Sequence, residues 1–253
     1  MRRDWPGSPG HYHFWGRQRD GDETGMIETE ERRGAFWGRR VGHKLREHQS
    51  ELMDVLLPHL MVPEGPLPPS EELFGRPMDD LWLEIGFGGG EHLLTRAEAN
   101  RDIGFIGCEP FINGMAKLLA GIEERGLDNI RLFDEDAALL LPRLRAASVG
   151  RAFLLYPDPW PKRRHRKRRF VSDATLKALA RALKPGAAFC FATDIDDYAA
   201  WTLARILRAP DFAWVADGPD DWRRPWAGWP GTRYEAKALR EGRIPGYFTF
   251  IRQ

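Results

Sequence analysis

Short apolar runs alternate with amphipathic segments along the chain from about residue 80. Apolar runs of this length predict strands buried on both faces, and the periodic segments between them predict helices. The predicted strands are 81–85, 103–108, 130–133, 152–156 and 187–192, followed by 212–215 and 247–251. This regular alternation predicts an α/β fold with a doubly wound parallel sheet.

Two of the helix patterns are well defined. Apolar residues recur at helical spacing over 111–122 and again over 176–183. Either Ser172 or Asp173 is placed to cap the second helix, and the Lys-Pro-Gly sequence at 184–186 is expected to stop it.

The N-terminal part of the chain has a different composition. Residues 1–35 are rich in Gly, Arg, Asp and Glu and lack apolar periodicity, so we expect a flexible arm there. Leucines at helical spacing between 36 and 60 predict an N-terminal helix. Five prolines between 63 and 77 predict a linker, which completes a helix-and-linker region at 36–78. The main domain is expected at 79–253.

The composition is that of a globular protein with one sizeable core. Of the 253 residues 42% are hydrophobic, and 38 Lys and Arg oppose 37 Asp and Glu, for a net charge of +1. This balance excludes a protein that coats nucleic acid through uniformly positive charge. The sequence shows no membrane-length apolar run and no signal peptide, and both cysteines lie in apolar runs. We therefore expect a cytoplasmic protein with no membrane partner.

A glycine-rich loop follows the first predicted strand. From Glu84 the sequence is Glu-Ile-Gly-Phe-Gly-Gly-Gly-Glu, and Gly86 and Gly88 let the backbone turn sharply and approach a ligand closely. Glu109 ends the second strand and Asp136 follows the third. Because the carboxyl ends of parallel strands share one edge of a sheet, these acids are expected to lie near the loop.

Two classes of cofactor use such a loop. A dinucleotide places its pyrophosphate on the following helix N-terminus, but Glu91 stands where the third glycine of that motif usually lies, and its carboxylate would repel the pyrophosphate. S-adenosyl-L-methionine has no phosphate and carries ammonium and sulfonium cations, so the acids favour it. Glu109 is then placed to accept from ribose hydroxyls and Asp136 to meet the adenine edge. A purely structural turn stays open as the alternative.

A proline-fixed acid and a basic run follow the fourth predicted strand. The sequence from Tyr156 is Tyr-Pro-Asp-Pro-Trp-Pro, and its prolines restrict where Asp158 and Trp160 point. Seven of the eight residues 162–169 are Lys or Arg. Such a run favours a polyanion, with the indole stacking on a base; a solvated loop or a localisation signal is the alternative. Without this run, 31 basic residues oppose 37 acidic ones, so the near-neutral charge is the sum of two opposed regions.

Together these motifs resemble the tRNA (guanine-N7)-methyltransferases. The resemblance rests on the glycine loop, the sequence at 157–169, Ala-Thr-Asp at 192–194 and Thr-Arg-Tyr-Glu at 232–235. It extends from about residue 35 to the C-terminus and includes Phe-Trp-Gly-Arg-Arg-Val-Gly at 36–42. The basic proline-tryptophan motif and the Thr-x-x-Glu motif are specific in combination, whereas the glycine loop is common to all class I methyltransferases.

The resemblance implies a Rossmann-like class I methyltransferase with a mostly parallel, seven-stranded sheet whose last strand is antiparallel. It implies methyl transfer from S-adenosyl-L-methionine to N7 of guanosine 46 in the tRNA variable loop, by a monomer or weak homodimer without a metal. The implied cofactor contacts are Glu84, Gly86, Gly88, Glu109, Asp136 and Asp158, and Asp158 is also the implied catalytic residue. With the basic run included, the expected substrate contacts are Lys162, Arg163, Arg164, Arg166, Lys167, Arg168, Arg169, Asp194, Thr232, Arg233, Tyr234 and Glu235.

Methylation at N7 needs no strong base, because this nitrogen has an in-plane lone pair and no proton. We therefore interpret Asp158 as an electrostatic and positioning residue. Asp194 and Glu235 are placed to complete the acceptors for the N1–H and N2–H₂ edge of guanine.

Several motifs also have simpler interpretations. Thr232-x-x-Glu235 alone is an ordinary capping box. The tryptophans at 222, 226 and 229 favour packing over base stacking, and His11 and His13 lack the further ligand that a metal site needs. The rival functions are another S-adenosylmethionine-dependent methyltransferase acting on amino groups of DNA or protein, and a non-catalytic RNA-binding module.

Overall fold

In the computed structural model of the protein, residues 37–253 are described. The predicted arm at 1–35, with His11 and His13, lies outside the described residues. None of the helices between residues 37 and 253 is long and apolar enough to cross a membrane.

A seven-stranded sheet with the order β3-β2-β1-β4-β5-β7-β6 forms the centre of the fold. All neighbouring strands are parallel except β7, which runs antiparallel to both β5 and β6. The strands are β1 (Asp80–Ile85), β2 (Ile103–Cys108), β3 (Ile130–Phe133), β4 (Val149–Leu155), β5 (Leu183–Thr193), β6 (Phe212–Trp214) and β7 (Gly246–Arg252). All seven predicted strands and the predicted fold class are confirmed.

Helices pack on both faces of this sheet. They are α1 (Glu47–Val55), α2 (Leu57–Leu60), α3 (Ser70–Phe74), α4 (Glu91–Ala99), α5 (Ile112–Arg125), α6 (Ala137–Leu140), α7 (Asp173–Ala182), α8 (Asp196–Ile206), α9 (Asp220–Arg223) and α10 (Arg233–Arg240). One core cluster joins α7 and α8 to the sheet, and the other joins α1, α2, α4 and α5 to the opposite face. Strands buried on both faces explain why their sequences are continuous apolar runs.

The helix predicted from the pattern at 176–183 ends one residue earlier than expected, at Ala182. Ser172 caps α7 through a capping box with Thr175, as the sequence indicated. The helix nevertheless stops at Ala182, because Leu183 already pairs with Val149 in the sheet. The Lys-Pro-Gly sequence at 184–186 therefore lies within β5, where it coincides with a register shift instead of ending a helix.

The N-terminal helix is shorter than predicted and interrupted. It begins only at Glu47, and a second short helix follows with a proline in its first turn. The following proline-rich segment, predicted as a linker, contains α3. Leu73 and Phe74 of α3 are buried in the core cluster on the face of α7, so this segment is part of the packed domain.

Helix α5 approaches the glycine loop, defined here as residues 86–90, very closely. A Cβ atom built on Gly114 of α5 would lie 2.2 Å from the carbonyl oxygen of Gly88. Only glycine allows this approach without moving backbone, so the sequence of α5 sets the position of the loop.

Gly114→Ala is expected to destabilise the protein by about 1–3 kcal/mol through overpacking, although alanine favours helix more than glycine does. Gly121→Ala in the same helix is the matched control. Its added Cβ meets the end of the Leu94 side chain, which can move, so the loss should be smaller. Chemical denaturation of both variants measures the difference. Equal stability of Gly114→Ala and the wild type would contradict this account of the loop.

Candidate active site

The glycine loop and the acid that ends β2 are bonded directly. Gly86 and Gly88 both have positive φ, at 70° and 58°. The backbone N–H of Gly88 donates to Glu109 Oε2 at 2.6 Å, and the N–H of Phe111 donates to Oε1 at 3.0 Å. Nothing in the described structure lies within 4 Å of where a Cβ on Gly86 would stand. The loop therefore leaves open space at Gly86 beside a fixed carboxylate.

Glu109 and Asp158 are neighbouring acids, and within residues 37–253 neither carboxylate forms an ion pair. Burial raises the pKa of Glu109 against the lowering effect of its two backbone donors, and the nearby Asp158 carboxylate adds to the rise. Loss of solvent also raises the pKa of Asp158, although its side chain retains some contact with water. Among residues 37–253 no hydrogen bond or ion pair holds the Asp158 carboxylate. Both acids would be stabilised by a cationic ligand.

Backbone strain fixes the segment that carries Asp158. Tyr156 and Trp160, on either side of it, have φ values of 50° and 43°, which non-glycine residues adopt at a cost. The N–H of Tyr156 donates to the Ala192 carbonyl at 2.8 Å, which holds the end of β4 against β5. The proline-rich sequence thus gives Asp158 a defined position at the carboxyl edge of the sheet.

The other two predicted cofactor acids have local partners. Glu84 is buried in β1, and its Oε2 lies 2.7 Å from Nδ1 of His92 in α4. Asp136 follows β3 and caps α6, because its Oδ1 accepts from the Ala138 N–H at 2.9 Å. The four acids thus lie at or next to the carboxyl ends of four adjacent strands, as predicted. Their contact with a cofactor stays a prediction.

The basic run at 162–169, called the basic loop below, splits into two parts. Lys162, Arg163, Arg164 and Lys167 are exposed to solvent, around a short 3₁₀ helix at Arg163–Arg168. Arg166 is partly exposed and pairs with Asp197 at 2.7 Å. The exposed members form a surface to which phosphates could bind.

Arg169 differs from its predicted role as a substrate contact. Its side chain is buried, where it donates to the Pro159 carbonyl at 2.8 Å and pairs with Asp197. It also lies over the rings of Tyr198 and Trp201. A buried guanidinium needs such partners, so Arg169 anchors the basic loop and does not face solvent.

A segment that precedes α1 reaches the basic loop. The Arg168 guanidinium lies over the Trp37 ring at 4.3 Å and over the Trp160 ring at 4.9 Å. Farther along, the Gly42 N–H donates to Asn113 Oδ1 at 2.7 Å at the start of α5. The resemblance marked the motif at 36–42, but the packing of its described part, 37–42, between the basic loop and α5 depends on contacts that no local pattern shows.

The Thr232–Glu235 motif is a capping box, as its simpler interpretation predicted. Thr232 Oγ1 accepts from the Glu235 N–H at 3.1 Å, and Glu235 accepts from the Thr232 N–H at 3.3 Å. Glu235 is also buried and accepts from Trp229 Nε1 at 2.8 Å and from the Tyr247 hydroxyl. The carboxylate therefore holds the segment in place, and a contact of Glu235 with guanine stays a prediction.

The N-terminus of α10 lies over the glycine loop. A Cβ on Gly88 would stand 3.2 Å from Tyr234 Cε2 and 3.3 Å from Arg233 Nη2. Arg233 also approaches Glu91 at 4.0 Å and lowers the pKa of Glu109. The fold thus brings a predicted substrate motif into contact with a predicted cofactor loop.

Sequence reasoning missed Arg243. Its Nε donates to Asp194 Oδ2 at 2.5 Å, and its guanidinium also pairs with Glu241. Arg243 ties the end of β5 to the connection before β7. The pair is formed across 49 residues, so the sequence carried no signal for it.

The tryptophans of the segment 215–232 pack against the sheet, as predicted. Trp222 joins one core cluster, and Trp226 and Trp229 join the other. Trp226 Nε1 donates to Thr249 Oγ1 of β7 at 2.9 Å. Within residues 37–253 no group of three or more His, Cys, Asp or Glu could hold a metal ion.

Comparison with known proteins identifies the family. Residues 79–244 match a family described as "Putative methyltransferase". The chain is 56% identical over 229 residues to a tRNA (guanine-N(7)-)-methyltransferase of Rhodopseudomonas palustris strain BisB5, with 90% of each chain covered. The chain belongs to the tRNA (guanine-N7)-methyltransferase family. A member from Agrobacterium fabrum is 54% identical over 89% of this chain and 100% of its own length.

Solved structures with a similar fold are also methyltransferases. The 16S rRNA methyltransferase KamB superposes with a TM-score of 0.52 at 20% identity, covering 76% of this chain and 99% of its own. The antibiotic-resistance methyltransferase Kmr gives a TM-score of 0.51 at 18% identity, with 72% and 90% covered. At this identity the likeness concerns the fold of this family member alone.

Asp158→Asn is expected to make the protein more resistant to heat at neutral pH. The folded-state pKa of Asp158 is raised, so the folded wild type loses stability as pH rises through that pKa, and the amide avoids this loss. Thermal unfolding between pH 4 and pH 8 should show a difference in Tm that grows with pH.

Asp197→Asn is the control of opposite sign. The hydrogen bond from Arg169 holds the pKa of Asp197 below its ordinary value, so its carboxylate stabilises the fold at neutral pH and this contribution is lost as pH falls. The asparagine variant should therefore have a lower Tm at pH 7. A shift of the same sign in both variants would show that charge is not the cause.

Proposed function

We propose that this protein transfers the methyl group of S-adenosyl-L-methionine to N7 of a guanosine in tRNA, at position 46 of the variable loop. The observation that carries the proposal is the arrangement at the carboxyl edge of the sheet. Acids short of positive charge surround an open glycine loop, and an anchored basic loop lies directly beside them. The relatives named above bear the same activity in their names.

The acidic side of this edge fits the cofactor. S-adenosyl-L-methionine supplies a methyl group on a cationic sulfur. Glu109 and Asp158 are carboxyls whose pKa is raised by loss of solvent and that a cation would stabilise. Asp136 and the buried Glu84 add two acids at the neighbouring strand ends. The open space at Gly86 and the close backbone at Gly88 let a ligand approach the main chain.

The basic side fits the RNA backbone. The exposed members of the basic loop are Lys162, Arg163, Arg164 and Lys167, to which Arg166 and Arg168 add partly exposed charge. Phosphate contacts of this kind position an RNA without reading its sequence. Asp194 at the end of β5 and Thr232, Arg233 and Tyr234 at the start of α10 would contact the target nucleoside.

Asp158 would act by position and charge. The lone pair of guanine N7 forms the new bond to the methyl carbon while the carbon–sulfur bond breaks, so positive charge moves from sulfur to the guanine ring. No proton has to be removed. A carboxylate with no hydrogen-bond or ion-pair partner among residues 37–253 can orient the base through the N–H donors of the guanine or stabilise the developing cation. Alignment of the two reactants would supply much of the rate enhancement, up to roughly 7–11 kcal/mol in favourable systems.

Incubation with labelled S-adenosyl-L-methionine and unmodified tRNA transcripts tests the proposal. Digestion should release 7-methylguanosine, and replacement of G46 in the transcript should abolish the label. Asp158→Asn should lower turnover at saturating S-adenosyl-L-methionine at least about 100-fold. Label in another nucleoside, or none in any RNA, would refute the assignment.

Salt dependence tests the basic loop separately. A variant with Arg163→Gln and Arg164→Gln should bind tRNA more weakly and lower the slope of log affinity against log salt by up to about two, because each phosphate contact contributes roughly one. The matched control carries Lys177→Gln and Arg208→Gln, which remove the same charge from exposed positions outside the loop. Its slope should match the wild type, and cofactor affinity should change little in either protein. An equal loss of slope in both variants would contradict a localised phosphate site.

A further inference from the structure

A buried histidine that follows the glycine loop contacts the glutamate that precedes it. His92 lies in the first turn of α4, directly after the loop, and its Nδ1 is 2.7 Å from Oε2 of Glu84, which lies in β1 directly before the loop. The side chains of His92 and Glu84 are only 3% and 4% exposed. The hydrogen bond therefore joins the two ends of the segment that would hold the cofactor.

The chemistry of the pair assigns the donor. A carboxylate oxygen accepts hydrogen bonds, so with Nδ1–H as the tautomer the imidazole donates to Glu84 Oε2. Among residues 37–253 no group donates a hydrogen bond to the other oxygen, Oε1. The His92 contact thus fixes the side-chain rotamer of Glu84 and leaves one carboxylate oxygen for a ligand.

The rest of the imidazole ring is held by aromatic contacts. The centroid of the imidazole ring lies 4.7 Å from the ring centroid of Phe153 in β4 and 5.2 Å from that of Trp229. Trp229 in turn donates to Glu235, the acid of the Thr232–Glu235 capping box. The ring that orients Glu84 therefore also packs against the residue that supports the substrate motif.

We propose that His92 is a positioning residue for the cofactor: it holds Glu84 and the glycine loop in the arrangement that binds S-adenosyl-L-methionine. The proposal rests on the proposed function, since it takes Glu84 and the loop as the cofactor site. His92 itself touches neither reactant. Its effect is on cofactor binding, transmitted through the Glu84 carboxylate.

Two substitutions separate the hydrogen bond from the packing of the ring. His92→Phe keeps an aromatic ring and removes the donor, whereas His92→Asn loses the ring and keeps a donor near the position of Nδ1. If the bond to Glu84 matters, His92→Phe should weaken binding of S-adenosyl-L-methionine by about 10- to 100-fold, the range for a hydrogen bond to a charged group. His92→Asn should stay within about threefold of the wild type, and calorimetric titration measures all three.

Steady-state kinetics separates an effect on cofactor binding from a general loss of structure. In His92→Phe the KM for S-adenosyl-L-methionine should rise by a similar factor, with the KM for tRNA and the kcat at saturating cofactor close to wild-type values. Leu94→Ala is the control from the same helix, because Leu94 packs towards Gly121 of α5 and not towards Glu84. It should lower the thermal stability and leave the cofactor Kd unchanged.

The outcomes distinguish this proposal from the function on which it rests. Failure of the wild type to bind S-adenosyl-L-methionine would refute the cofactor assignment. With normal binding by the wild type, a His92→Phe protein within twofold of it, or a His92→Asn protein as weak as His92→Phe, would overturn the role of His92. If the phenylalanine variant does not fold, His92→Leu replaces it, because leucine also lacks a donor and fits the same space.

Discussion

The buried guanidinium of Arg169 is the interaction on which the geometry of the carboxyl edge depends. It joins the Pro159 carbonyl to Asp197 at the start of α8, and it packs against two aromatic rings. Removing either partner would leave a buried charge or polar group unpaired, which costs several kcal/mol, so the loop has little freedom to rearrange. The strained residues on either side of Asp158 persist because this anchor and the prolines over-determine the backbone.

Because Arg169 anchors the basic loop, the cations of this loop fall into a paired group and a solvent-facing group. One carboxylate, Asp197, pairs with Arg166 and Arg169, and the exposed members of the loop are left facing solvent. At the ends of the neighbouring strands, loss of solvent raises the pKa of Glu109 and Asp158. Two backbone N–H donors and the charge of Arg233 oppose this rise at Glu109, and none of them does so at Asp158. The near-neutral chain therefore places an exposed basic surface next to acids that no ion pair compensates. A cationic cofactor and a polyanionic RNA are complementary to these two surfaces.

Two buried acids connect the proposed cofactor side of the edge to the substrate side. Glu235 completes a capping box and accepts from Trp229 and Tyr247, so it fixes the segment that lies over Gly88. Glu84 is held by His92, which packs against the same Trp229. Both carboxylates are supported through one indole ring. The aromatic packing of the segment 215–232 thus determines the shape of both proposed sites, although its tryptophans need not touch either ligand.

The seven strands, the acids at their ends, a helix cap at Ser172 or Asp173 and the Thr232–Glu235 capping box were predictable from the sequence. These features depend on local periodicity, turn chemistry and short spacings, which a sequence displays directly. The anchoring role of Arg169, the pairing of Arg243 with Asp194 and the stacking of Trp37 on Arg168 depend on long-range contacts. The seven cations of the run are chemically similar, so the sequence does not show which of them will be buried. That choice depends on the packing of distant strands and helices, and the same packing shortened the N-terminal helix and folded the proline-rich segment into the core.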